Sequence, residues 1–149
     1  PYAIRSRFIF SVSHICHQAN RVRLSKWKDD LPNDKSINFK TMEKKCSSWT
    51  NYPVFKAKLA KIADEKFNMG TLEFRHKFHH RIPVSIEIGL TGLISREKSE
   101  NGKVSYGFGG TGPISIDKLV PLLKGQYLNV ALCFEKYQLL VKEQIDEIF

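Results

Sequence analysis

Cysteine is scarce in this sequence, with three residues in 149, at Cys16, Cys46 and Cys133. They are widely separated and none belongs to a Cys-x-x-Cys pair, so neither a disulfide framework nor a cysteine zinc site is indicated. No apolar run approaches the roughly 20 residues needed to span a bilayer. The start of the chain also lacks the uninterrupted apolar core of a signal peptide. These absences predict a cytoplasmic protein without a membrane partner.

Acidic residues are also few. The chain has 15 Asp and Glu residues against 24 Lys and Arg residues, which gives a formal net charge of +9. No acidic residue occurs between positions 1 and 28, whereas six basic residues do: Arg5, Arg7, Arg21, Arg23, Lys26 and Lys28. Such a polycation favours a polyanionic partner, and charge alone leaves RNA, DNA and anionic membrane surfaces open.

The length and the 42% hydrophobic content predict one domain over residues 1–149, large enough to bury a core without a metal or disulfide. The apolar periodicity predicts a mainly α fold, a bundle of four to five helices, with a β-hairpin insert around residues 90–110 that extends to about 112. Its sequence signal is Asn101-Gly102 between the arms Leu93–Arg96 and Val104–Phe108. This dipeptide predicts a type I′ turn.

The first predicted helix runs from about Tyr2 to Leu24 and has one apolar stripe, formed by Ile4, Phe8, Val12, Ile15, Ala19 and Val22. On this helix His14 and His17 are interpreted as solvated. After a polar break at Ser25–Ser36, a short helix is expected from about Asn38 to Cys46.

A longer helix is expected next, capped by Thr50 or Asn51 and continuing to about Asn68, before Gly70 ends it. Thr71 is predicted to cap a short following helix, and a final helix begins at about Ile116. The short helix is of most interest, because it carries an unusual cluster of side chains.

That cluster is Phe74-Arg75-His76-Lys77-Phe78-His79-His80-Arg81, with three histidines, two arginines and one lysine in eight residues. Histidine can take up and return a proton near neutral pH, and arginine offers a planar fork of donors that matches a phosphodiester. The spacing from Arg75 to His80 resembles the Arg-x4-His motif of the HEPN family of small helical domains. His76 fits the family's preference for a polar residue after the arginine.

This resemblance implies a metal-independent endoribonuclease that needs no cofactor, in which the 2′-hydroxyl of single-stranded RNA attacks the adjacent phosphate. His80 would be the general acid or base, Arg75 the phosphate clamp, and His76 a residue that orients His80 or the phosphate. The predicted RNA-binding residues are Lys77, Arg81 and His79 beside the site, and Arg5 and Arg7 on the first helix. A toxin, with an antitoxin protein as partner, or a phage-defence effector would fit such an activity.

On an α-helix, positions 75 and 80 lie about 140° apart around the axis, whereas positions 76 and 80 share a face. Convergence of Arg75 on His80 therefore needs either a bend at His79–Arg81, ahead of Pro83, or a second copy of the helix. Since HEPN ribonucleases typically dimerise with two motifs in one cleft, the resemblance implies a homodimer.

Other interpretations stay open. Arg75 is also consistent with an ordinary surface or ion-paired residue, and His80 with a cap on helix carbonyls. Phe74 and Phe78 are more typical of core residues than of base-stacking platforms. His76 and His80 have the spacing of two zinc ligands, although the third ligand would have to come from elsewhere. The main alternative function is a non-catalytic HEPN-like module that binds nucleic acid or an antitoxin partner.

Overall fold

The computed structural model describes residues 1–80, 84–91, 94–110 and 112–149, with backbone only at residues 79, 80 and 95. In chain order its elements are α1 (Tyr2–Arg23), α2 (Phe39–Cys46), α3 (Tyr52–Leu59), α4 (Glu65–Gly70), α5 (Phe74–His80), β1 (Ile94–Lys98), β2 (Val104–Phe108) and α6 (Ile116–Ile148). A 3₁₀ turn at Asp34–Ser36 lies between α1 and α2. The predicted mainly α fold with a β-hairpin is confirmed.

The chain forms two compact units, one of Pro1–Asp64 with Gly125–Phe149 and one of Glu65–Lys124. Helix α6 contributes its first residues to the second unit and the remainder to the first. The assignment of residues 1–149 to one domain stays a prediction. Within the described residues, no helix is both long and apolar enough to cross a membrane.

The core of the first unit is built from α1, α2, α3, the segments that connect them, and the later turns of α6. Its buried residues are Phe8, Val12, Cys16, Ala19, Met42, Cys46, Trp49, Tyr52, Phe55, Leu59, Ile62, Cys133 and Leu140. In α1 this core is confined to the middle turns, since Ile4 and Val22 at the two ends of the predicted stripe are exposed. Cys16, which was not part of the predicted apolar stripe, is also buried in this core.

The prediction that His17 is solvated is wrong. Its side chain is buried, and its Nε2 lies 2.9 Å from Asp29 Oδ1. The loop after α1 folds back over the helix, because the indole N–H of Trp27 donates to the backbone oxygen of His17 at 2.9 Å. The loop thus supplies a carboxylate, from Asp29, and an indole donor, from Trp27, within a segment that the sequence marks only as polar.

Helix α2 begins as predicted, because the side-chain oxygen of Asn38 accepts hydrogen bonds from the backbone of Lys40 and Thr41 at 2.9 and 3.2 Å. The longer helix expected after it is instead two helices, α3 and α4. The chain turns between them at Ala63, whose φ is +52°. Gln126 of α6 stabilises this break, since its Oε1 accepts from Ala63 N at 2.7 Å and its Nε2 donates to Lys61 O at 3.3 Å.

In the second unit, α4 ends at Gly70 as predicted, but Thr71 does not cap α5. Its hydroxyl donates back to Phe67 O at 2.8 Å, which satisfies a terminal carbonyl of α4. Leu72 and Glu73 follow with φ values of +50° and +55° and turn the chain into α5.

The hairpin forms from the predicted arms, although Leu93 of the first arm lies outside the described residues, and its turn differs from the predicted one. Strand β1 pairs antiparallel with β2, and Gly102 N donates to Ser99 O at 2.9 Å. Gly102 has a φ of +78°, whereas Asn101 is not among the residues with positive φ. A type I′ turn requires positive φ at both residues, so that prediction is wrong. The geometry is that of the three-residue loop in which a glycine with positive φ follows a tight turn.

The chain on either side of the hairpin is held together by backbone hydrogen bonds. Ile86 and Ile114 form an isolated parallel bridge. Ile114 N donates to Ser85 O at 2.9 Å, and Glu87 N donates to Ile114 O at 3.0 Å. The entry and exit of the hairpin segment therefore lie side by side.

Candidate functional site

Helix α5 displays the cluster that the sequence singled out. Arg75 and His76 are exposed and Lys77 is half-buried. The rings of Phe74 and Phe78 stack with centroids 5.7 Å apart and planes 15° apart, and Phe78 is 56% exposed. The interpretation of Phe78 as a core residue is therefore wrong, and the helix presents an aromatic side chain together with cationic ones.

The backbone of α5 remains helical through position 80. The expected bend does not begin at positions 79 or 80, so α5 alone leaves positions 75 and 80 about 140° apart around its axis. The side chains of His79 and His80, and all of Arg81, lie outside the described residues. Within one copy of α5, positions 75 and 80 thus lie on different sides of the helix, while positions 76 and 80 share a face.

Arg5 and Arg7, the other predicted RNA contacts, lie on α1 in the first compact unit. Arg7 is exposed, whereas Arg5 is half-buried. Within the described part of the chain, the Nε of Arg5 is buried without a hydrogen-bond partner. Of these two residues, Arg7 is the better placed to reach a phosphate in solvent.

Two of the three cysteines are poor candidates for chemistry at neutral pH. Cys46 and Cys133 are buried free thiols. Burial raises the pKa of Cys133 to about 12, and burial, reinforced by the neighbouring Cys16, raises the pKa of Cys46 well above its usual range. Both stay protonated at pH 7, and a protonated thiol is a poor nucleophile and metal ligand. Across the described ranges, no group of three or more His, Cys, Asp or Glu residues is arranged to hold a metal ion.

A second basic cluster, which the sequence analysis missed, surrounds a cavity of about 300 Å³ in the first unit. Its lining includes His17, Trp27, Lys26, Lys28, Lys45 and Asp30. A hydrogen bond from Lys45 is the main reason that the pKa of Asp30 is lowered, so this carboxylate is charged at neutral pH. Asp30 also lies 3.7 Å from Lys44 Nζ, so this single carboxylate offsets part of the positive charge of the four lysines that line the cavity.

No protein-family model matches this chain, and comparisons with curated proteins and with solved structures found no significant match. The HEPN resemblance accordingly depends on the spacing of Arg75 and His80 within a mainly helical chain.

Proposed function

We propose that this protein binds single-stranded RNA through α5 and, as a homodimer, cleaves it by attack of the RNA's own 2′-hydroxyl. The observation that carries the proposal is the surface of α5, where exposed Arg75 and His76 lie on the same short helix as the exposed ring of Phe78. Guanidinium, imidazole and aromatic groups are the side chains that contact phosphate, exchange a proton and stack on a base, respectively.

In this mechanism the arginine of the motif binds and stabilises the negatively charged phosphate. Arg75 holds the scissile phosphate with two parallel N–H donors and stabilises the negative charge that grows on its oxygens in the transition state. Lysine cannot copy that paired geometry. Phosphate binding by Lys77 and Arg81 would keep the strand in register along the helix.

The imidazoles transfer the protons. His80 removes the 2′-hydroxyl proton or protonates the leaving 5′-oxygen, and His76, which shares its helix face, orients His80 or the phosphate. The nucleophile belongs to the substrate, so the reaction requires neither a bound metal nor a cofactor.

The helical backbone of α5 supports a site that is shared between two chains. Positions 75 and 80 diverge on one copy of α5, but a two-fold axis beside the helix would set Arg75 of one chain opposite His80 of the other. The proposed active site is therefore composite.

A complementation experiment tests this composite site. Arg75→Ala and His80→Ala homodimers should both be inactive, because every site lacks one group. In an equimolar mixture that has exchanged subunits, half of the dimers are mixed and each contains one intact site, so activity should recover to about a quarter of the wild-type rate. A mixture that stays inactive, although subunit exchange is verified by mass spectrometry, would exclude a site shared between chains. A protein that remains monomeric at micromolar concentration would exclude it as well.

The second candidate function is a non-catalytic module that binds RNA or an antitoxin-like partner. The helical backbone through position 80 favours it, since positions 75 and 80 of one chain lie on different sides of α5. The two functions differ in one result. A binding module retains RNA in a filter or gel-shift assay and returns it intact after prolonged incubation, with the same outcome for His80→Ala.

A further inference from the structure

The β-hairpin has an unusual division of side chains between its two faces. Cross-strand partners share a face, and the register pairs Ile94 with Phe108, Arg96 with Tyr106 and Lys98 with Val104. One face therefore carries only apolar, aromatic and cationic residues, and this set is named the hairpin platform: Ile94, Arg96, Lys98, Val104, Tyr106 and Phe108. The opposite face carries Glu97, Ser105 and Gly107.

The hairpin platform is not part of the core. Phe108 is 86% exposed, Tyr106 is 61% exposed and Ile94 is 60% exposed. In an antiparallel hairpin the apolar face normally packs against the rest of the domain. An apolar face that remains in solvent, with cations placed among its aromatic residues, is a surface for a binding partner.

We propose that the hairpin platform binds single-stranded RNA by stacking bases on Tyr106 and Phe108. Identification of RNA as the ligand rests on the proposed function, but the site consists of residues outside α5. Aromatic side chains stack on bases of any sequence, and neighbouring Arg and Lys residues contact the phosphates. Arg96 and Lys98 supply these cations, and the one acidic residue of the two strands, Glu97, lies on the other face.

The spacing of the two rings indicates which form of RNA fits. Tyr106 and Phe108 are two residues apart on one strand, which separates them by about 6.8 Å. Successive stacked bases along a strand are about 3.4 Å apart. Two neighbouring bases can therefore occupy both rings only after they have moved apart, which a single strand allows and a duplex resists.

The charges also argue against a second copy of the chain as the occupant. An isologous contact between two platforms would bring Arg96 and Lys98 of one chain towards the same cations of the other. Like charges brought together in an interface are unfavourable. A polyanion whose bases are apolar on their faces matches both the charge and the apolar character of this surface.

The test measures the affinity of the full chain for a fluorescent 12-nucleotide oligouridylate and for an RNA duplex of the same length, by anisotropy. All cleavage is blocked by 2′-deoxy or 2′-O-methyl substitution. Tyr106→Ala and Phe108→Ala should each weaken single-strand binding by roughly 5- to 100-fold, and Tyr106→Phe should restore most of the loss. Ser105→Ala, on the opposite face of the same strand, is the matched control and should bind as the wild type does.

The proposal would be overturned if wild type, Tyr106→Ala and Phe108→Ala bound the single strand with equal affinity. It would also be overturned if the duplex bound as tightly as the single strand and both substitutions weakened duplex binding equally. A loss shared by Ser105→Ala would also overturn it, since that result indicates a general effect on the hairpin. The substituted side chains are exposed, so the circular dichroism spectra of the variants should match that of the wild type. Failure here is distinct from failure of the α5 proposal, because hairpin variants change affinity whereas Arg75→Ala and His80→Ala abolish cleavage of bound RNA.

Discussion

Replacement of Glu143 by Gln should destabilise the protein by about 2 kcal/mol at neutral pH. Glu143 belongs to neither of the proposed RNA-binding surfaces. Glu143 lies on α6 and caps the amino-terminal end of α3. Its carboxylate accepts from Thr50 N at 2.7 Å, from Asn51 N at 2.8 Å and from Asn51 Nδ2 at 2.9 Å. Asn51 makes no side-chain cap of its own. The backbone N–H groups of Thr50 and Asn51, immediately before the first residue of α3, therefore depend on a side chain that is distant in sequence.

The magnitude follows from these contacts. Hydrogen bonds to a charged group are each worth about 1.5–3 kcal/mol, and removal of a helix cap costs about 0.5–2 kcal/mol. Glutamine keeps one acceptor oxygen but places an NH₂ group where the second oxygen accepts, so one backbone N–H loses its partner. Because Glu143 is half-buried, water can form part of the hydrogen bonding that the backbone N–H loses. The expected cost therefore lies near the middle of these ranges.

The effect should depend on pH. Burial acts to raise the pKa of Glu143, but hydrogen bonds from Asn51 and Thr50 act against it and prevail, so the pKa is lowered in the folded protein. A carboxyl with a lowered folded pKa contributes its full stabilisation above its unfolded pKa of about 4.3 and loses it as the pH falls through the folded value. Glutamine does not titrate, so the gap between wild type and variant should narrow in acid.

The assay is urea denaturation followed by circular dichroism, at pH 7 and at intervals down to about pH 3. Glu135→Gln, an exposed position on the same helix, is the control for loss of one negative charge and should change stability by less than about 0.5 kcal/mol. The reasoning fails if Glu143→Gln behaves like this control at pH 7. It also fails if the gap between wild type and Glu143→Gln stays constant as the pH falls.

Three further outcomes are expected. Asn20→Ala should cost about 2–3 kcal/mol in the same denaturation assay, because it removes the buried partner of Trp49 Nε1 at 2.9 Å and of Lys45 O at 2.8 Å; a cost below about 0.5 kcal/mol would contradict this account. RNA cleavage should persist in a chelator, leave a 2′,3′-cyclic phosphate and stop when the scissile nucleotide is 2′-deoxy, as resolved by gel and mass spectrometry; restoration of activity only by added divalent metal would refute the mechanism. Affinity for single-stranded RNA should fall with salt at a slope of about −0.7 per phosphate contact, and Arg7→Gln should flatten that slope; an unchanged slope would remove α1 from the binding surface.

Much of the secondary structure could be predicted from local sequence. The steps from Phe8 to Ala19 indicate α1, Asn38 marks the start of α2, and Gly70 marks the end of α4. The arms around Asn101-Gly102 predict the hairpin. These features depend on periodicity, caps and glycine conformations, which involve residues within a few positions of one another.

The two candidate sites differ in how far the sequence reveals them. The cluster on α5 is visible in sequence because its residues are contiguous. The exposed hairpin platform is not, because apolar and cationic residues at alternate positions of a strand do not reveal whether the face that they share is packed or in solvent. Exposure depends on the rest of the chain, and only the fold determines it.

The sequence by itself determined most of the helices and the hairpin arms, because these elements form through interactions between near neighbours. It also places Arg75, His76 and Lys77 in one segment, because they are contiguous. Tertiary structure decided the break between α3 and α4, where Gln126 satisfies the backbone of Ala63 and Lys61. It also buried His17 beneath the loop of Trp27. In each case a polar group is satisfied by a partner whose position depends on how the chain packs, and neither helical periodicity nor local capping signals identify that partner.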